Sequence, residues 1–319
     1  MLRSHFCLLS LTILLFLQAV ISPLVGFHDK PADSLKLEWK DNFLTIRGKD
    51  LPGDEMRVMY LEAYCRPGST DRDWGQTVIG HKTELISASE DGRWIKLRCT
   101  LNDGVIVDHE IRATDDEVDF RLTAKNPTDK ESLAHWAQPC IRVDKFTGAT
   151  QADYFKKGFI FLDGKLAMMP TPNWATKARY VPGQVWAPKG VDRNDVNPRP
   201  LSDDVPSSGL IGCYSADGKW IMATAFQPYQ ELFQGVAVCL HSDFRIGGLR
   251  PREQKNIRGK IYLVPAHVDK LLARYARDFP EQHAANEQSK QARVDGTSES
   301  SATRCRIATC VQHTSFNPN

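Results

Sequence analysis

The sequence lacks a surplus of either charge: 41 lysines and arginines stand against 39 aspartates and glutamates, a net of +2. A nucleic-acid binder normally carries a basic excess, so that class is set aside and no nucleic-acid partner is expected. The chain has no Gly-rich phosphate loop, no C-x-x-C pair and no repeat of fixed period. Those absences exclude a P-loop nucleotide site, a redox dithiol, a zinc ribbon and a solenoid. Strands do not alternate with helices, so a parallel α/β sheet is excluded as well. No cofactor and no metal are implied. With 41% hydrophobic and 25% charged residues, the chain is neither wholly disordered nor a polytopic membrane protein.

One long apolar run exists, and it lies at the start. Arg3 is the only formal charge in residues 1–26, an apolar stretch follows from Leu8, and Pro23 ends it. This is the layout of a secretory signal peptide with Gly26 before the cut; the alternative is an uncleaved anchor, the one membrane contact expected. The expected location is therefore periplasmic or extracellular. Loss of residues 1–26 removes one arginine and no acid, leaving 40 basic against 39 acidic residues, a net of +1. At the other end, residues 281–319 contain one aromatic, Phe316, and few aliphatics, the composition of a disordered polar tail. Cys305 and Cys310 lie there; Cys65, Cys99, Cys140, Cys213 and Cys239 lie in the body. Four of those five sit in apolar runs and read as buried thiols. In an oxidising compartment some could pair, with a connectivity the sequence does not give.

The body, 27–280, reads as a single domain of hairpins. Short runs alternate at period two, broken by Asp41-Asn42, Asp91-Gly92, Asp103-Gly104, Asp163-Gly164 and Asp217-Gly218. Asp-Gly and Asp-Asn supply the positive φ of tight hairpin turns. Val105, Val107, His109 and Ile111 share one face of a run, and Val118, Phe120, Leu122 and Ala124 share a face of the next. His109 is thereby a core or sheet-face histidine. One helix is expected over 266–279, stopped by Pro280. Residues 169–208 hold seven of the 18 prolines together with Trp174, Tyr180 and Trp186, which suits a loop folded over the sandwich better than a linker.

Three stretches in order carry a resemblance: EVDFRLTAKNPTDKESLAHWAQPC, AFQPYQ and LRPREQKNIRGKIYLV. Together they resemble the galactose mutarotase-like (aldose 1-epimerase-like) family across roughly residues 35–264. The resemblance implies an all-β, two-sheet antiparallel β-supersandwich, here with one C-terminal helix and a disordered tail. It implies a concave sheet face that binds a sugar, a histidine acid and a glutamate base. His135 stands where the family's acid is expected. Gln227 stands where the glutamate is expected, an amide cannot take a proton, and Glu231 is the nearest carboxylate. His81 is the nearest candidate for the family's second histidine.

The candidate catalytic residues are therefore His135, Glu231 and His81. Candidate sugar-binding residues are Arg66, Trp74, Trp136, Gln138, Trp174, Trp186, Gln227, Tyr229 and His241. Arginine and amide side chains pair with hydroxyls, and aromatic faces stack on the C–H face of a sugar ring. Asp192, Asp195, Asp203 and Asp204 offer oxygens, but their spacing fits no calcium loop. Three functions stay open: an exported carbohydrate-active enzyme with epimerase-like or lyase-like proton transfer, a non-catalytic carbohydrate-binding protein, or an envelope or partner-binding β-sandwich module.

Overall fold

The computed structural model describes residues 34–282. The signal-like segment 1–26 and the tail cysteines lie outside the described residues. In chain order the strands are β1 (Lys36–Lys40), β2 (Phe43–Arg47), β3 (Glu55–Cys65), β4 (Val78–Ile79), β5 (His81–Ala88), β6 (Trp94–Leu101), β7 (Ile106–Ala113), β8 (Glu117–Lys125), β9 (Trp136–Arg142), β10 (Gly158–Leu162), β11 (Lys165–Met168), β12 (Gln184–Trp186), β13 (Ile211–Tyr214), β14 (Trp220–Gln227), β15 (Tyr229–Gln234), β16 (Cys239–Arg245) and β17 (Gln254–Pro265). They form two antiparallel sheets. One has eight strands in the order β1-β2-β3-β9-β16-β15-β12, with β4 beside β3. The other has nine, ordered β11-β10-β13-β14-β17-β8-β7-β6-β5. The all-β sandwich expected from the hairpin pattern is the fold observed.

The hairpins form for the reasons read from the sequence. Asp41 and Asn42 take φ of 51° and 60° between β1 and β2, and Asp163 and Gly164 take 50° and 76° between β10 and β11. Both pairs have the two positive φ values whose twist matches that of the flanking strands. Along β7 and β8 the alternation becomes one buried face: Val107, His109, Ile111, Val118, Phe120 and Ala124 are all sealed. They pack between the sheets against Val58, Tyr60 and Tyr64 of β3. His109 is satisfied there, with Nδ1 2.8 Å from the Tyr60 hydroxyl and Nε2 3.2 Å from that of Tyr64. Burial pulls its pKa down to about 3, so it is neutral in the core.

The helix spans Val268–Asp278 rather than 266–279, because β17 runs on to Pro265 and the next two residues make the turn. Leu271, Tyr275 and Phe279 pack on the outward face of the nine-stranded sheet, against Phe159, Phe161, Ile221 and Tyr262. Segment 169–208 is not wholly irregular. Val185 and Trp186 pair with Phe233 and Leu232, so it adds β12 to the edge of the eight-stranded sheet. Among the described residues no helix is long and apolar enough to cross a membrane.

Candidate functional site

Period two decides what the eight-stranded sheet shows on its outward face. On β9 and β16, Ala137, Ile141, Leu240 and Phe244 point into the inter-sheet core. The alternate residues, Trp136, Gln138 and Cys140 with Cys239, His241, Asp243 and Arg245, therefore point the other way. A bulge between Tyr229 and Glu231 on β15 brings Glu231 opposite Asp243 on that same face. A sheet face this polar would ordinarily be wet. Here Gln138, His241, Asp243 and Glu231 are buried, and the proline-rich segment lies on Glu231 and Phe233 of β15.

The segment is held down by both apolar and polar contacts. Val185, Ala187, Val191 and Val196 cluster with Phe233 of β15. Ser69 Oγ donates to the Val196 carbonyl at 2.9 Å, and Thr70 Oγ1 to that of Arg193 at 3.2 Å. The Asn197 amide donates to Glu231 Oε2 at 2.9 Å. Among the described residues Glu231 Oε1 finds no partner. Burial, and then the neighbouring Asp243 carboxylate, push the Glu231 pKa well up; burial also raises that of Asp243. Two carboxyls that face each other across neighbouring strands and out of water disfavour ionisation of both.

At the end of β9 the cover meets a half-exposed histidine. His135 Nδ1 lies 3.3 Å from Asp195 Oδ2, and its side chain is 21% exposed against 6% for Asp195. Arg245 Nη1 approaches the same oxygen at 3.5 Å, and the Gly68 amide donates to Asp195 Oδ1 at 3.1 Å. Gln230 ties the group together: its Nε2 donates to the Asp195 carbonyl, and its Oε1 accepts from Arg245. The backbone of His135 is fixed by donation to Cys65 O at 2.8 Å, and its carbonyl accepts from Ile246 and Gly247. Gly248 has φ +71°, and a Cβ there would sit 3.4 Å from His135 Nε2. The absence of a side chain at 248 keeps that nitrogen approachable. With Nδ1–H donating to Asp195, Nε2 carries the lone pair, the arrangement of an oriented proton acceptor.

The other candidates scatter. His81 begins β5 in the nine-stranded sheet, with its ring 5.0 Å from that of Tyr64, and burial lowers its pKa. It is not brought to His135. Gln227 ends β14 in that same sheet, where it accepts from Gln282, and the ring of Tyr229 packs against Gly209. Arg66 donates to the carbonyls of Gln76 and Val78 and so braces its own loop. Trp186 and Trp136 are wholly buried. Trp174 stacks between Phe155 and Trp186 at 5.6 and 5.8 Å. Trp74 is half-buried against Trp136 at 6.4 Å, next along the chain from His135. His241 lies under the ring of Phe233 at 4.9 Å, with Asp243 3.3 Å from its Nδ1. The aspartates of the proline-rich segment do not share a point: Asp195 faces His135, Asp203 pairs with Arg193 and Asp204 accepts from Asn173.

Sequence reading missed Asp195 as the partner of His135, and it missed Arg245 altogether. The two members of the dyad are 60 residues apart, and no local spacing links them. Arg245 did leave a trace: it continues the period-two row of Cys239, His241 and Asp243.

No family model matches the sequence. No curated protein matches it either. Among solved structures, a galactose mutarotase-like protein from Lactobacillus casei is 9% identical, covering 72% of this chain and 99% of its own, with a TM-score of 0.39. The galactose 1-epimerase from Lactobacillus acidophilus is 9% identical, covering 74% of this chain and 99% of its own, with a TM-score of 0.35. The chain is thus remotely similar to galactose mutarotase-like proteins.

Proposed function

We propose that the protein is an exported carbohydrate-binding protein whose site is the rim where His135, Arg245 and Trp74 remain half-exposed. The observation that carries this reading is the convergence of His135, Arg245 and Gln230 on Asp195, at the open end of an otherwise covered sheet face. A guanidinium donor and an imidazole acceptor beside an aromatic plane suit sugar hydroxyls and a sugar ring. The covered face speaks against epimerisation by a histidine–carboxylate pair. Glu231 is sealed beneath Asn197 and carries a raised pKa, so it is out of reach of a sugar at the rim. Export rests on the apolar run at the start of the chain.

The test is titration of the full chain with a panel of neutral and acidic saccharides, alongside His135→Ala and Trp74→Ala, with anomer ratios followed by NMR. Binding of a glycan that both variants weaken about tenfold or more, with no change in the anomer ratio, is the expected result; one lost hydrogen bond or stacking contact has that size. Turnover abolished in His135→Ala would replace the binding reading with an enzymatic one. Failure of every glycan would reject the carbohydrate.

A further inference from the structure

From a different part of the same sheet, we infer that Cys140, Cys239 and His241 bind a soft d10 metal ion, zinc(II) or copper(I), clamping β9 to β16. The two cysteine sulfurs and a histidine ring nitrogen lie within 4.8 Å of one another, and all three residues are buried. Cys239 Sγ is 3.2 Å from His241 Nε2. Donors bound to a single zinc at about 2.3 Å for sulfur and 2.0–2.1 Å for nitrogen stand roughly 3.5 Å apart across a tetrahedral angle, so small closing movements suffice.

The topology explains how such a set arises. The register pairs Cys239 with Arg142 and Leu240 with Ile141, which carries His241 opposite Cys140. Cys239, two residues before His241, then shares the face. Antiparallel pairing thus brings Cys140, about a hundred residues earlier in the chain, to the same point as Cys239 and His241. The surroundings suit a metal. Asp243 Oδ1 lies 3.3 Å from His241 Nδ1, the carboxylate–histidine arrangement that fixes the ring and leaves Nε2 toward the ion. The Phe233 ring covers the imidazole from the other side. Gly235 gives the sulfur its room, since a Cβ there would fall 2.3 Å from Cys239 Sγ and 3.3 Å from His241 Nε2. Two thiolates and an imidazole select soft cations over calcium or magnesium. Three protein donors complete a trigonal copper(I) site, or leave zinc a fourth position.

The experiment loads the full chain, reduced and metal-free, with one equivalent of cobalt(II), zinc(II) or copper(I) in separate anaerobic samples. The expected cobalt product shows an intense sulfur-to-metal charge-transfer band, which zinc displaces. Competition with a colorimetric chelator of each ion then ranks zinc against copper. Cys140→Ser, Cys239→Ser and His241→Gln should each lose stoichiometric binding, and Asp243→Asn should weaken it about 10–100-fold. Cys305→Ser/Cys310→Ser, which leaves the three proposed donors unchanged, should bind as the parent does. Absence of the charge-transfer band in the parent chain overturns the inference without any appeal to the folding of variants. So does a band that persists in Cys140→Ser or disappears in Cys305→Ser/Cys310→Ser. A parent chain purified without reductant and 2 Da lighter than its reduced form, with the loss mapped to Cys140 and Cys239, would replace the metal by a disulfide.

Discussion

Strands β8 and β9 are close in sequence and differ in what lies on their two sides. β8 alternates buried and more accessible residues, because one face meets the core and the other carries ion pairs at Glu117 and Asp119 and reaches water at Arg121. β9 is buried at every position but the last, and on its second face Trp136 lies under Trp74 and Val78 while Cys140 lies beside Cys239 and His241. The same period-two geometry therefore has two readings. On β8, polarity marks solvent. On β9 and β16, polarity marks Gln138, His241 and Asp243, charged or hydrogen-bonding groups held out of water at a cost that structure alone would not require.

The comparison breaks first, and with the largest effect, at two aromatic side chains. Phe120→Ala, between the sheets, and Trp136→Ala, under Trp74 and Val78 on the outward face, are both expected to cost about 3–5 kcal/mol in urea unfolding. A cost below about 1 kcal/mol for Trp136→Ala would mean that the outward face of β9 behaves as a surface, like that of β8.

A second effect is pH-dependent and belongs to the inter-sheet core alone. His109 has its folded pKa near 3, below the unfolded value of about 6.5, so the unfolded chain takes the proton first. Its contribution is intact above about pH 6.5 and is lost progressively as pH falls toward 3, reaching about 2–3 kcal/mol at pH 4.5. Stability curves of the parent and His109→Gln measured between pH 7 and 4.5 should diverge by one proton's slope; parallel curves would show that His109 ionises freely.

The cover comes next. Asp195→Ala deprives His135, Arg245, Gly68 and the loop of a shared acceptor and should cost about 1–3 kcal/mol, with faster amide exchange in 184–202 and none added in β7 or β8. The smallest effect is expected on the wet face of β8, where Arg121 pairs with Asp119 at the surface: Arg121→Ala should change stability by less than about 0.5 kcal/mol.

The sandwich was legible because its signals are local. Asp-Gly turns and alternation act over a few residues, and β7–β8 follow them strand for strand. The site was legible only in part. His135 stood out through the resemblance, yet its partner Asp195 was visible merely as one acid among several. What joins them is the path of a long loop over a sheet, and no spacing rule encodes that path. The thiol–imidazole cluster failed to show for a related reason. Its donors come from two strands, and only the β9–β16 register brings them together. The row Cys239-x-His241-x-Asp243 was the available signal: three coordinating side chains on one face of an apolar strand. Trp186 and Trp136 misled in the opposite direction, since aromatics near a cleft are as well suited to filling it as to gripping a sugar.

The central claim is that the proline-rich segment is a fixed part of the sheet's outward face. Hydrogen exchange of the full chain tests it most directly. The amides of Val185, Asn197 and Ser202 donate to Pro200 O, Glu231 Oε2 and Val185 O at 2.8–2.9 Å. They are predicted to exchange as slowly as the amides of β16, through global opening alone. Exchange orders of magnitude faster than β16 would contradict the account: the segment would then be a lid, and Glu231 would open to a sugar beside His135.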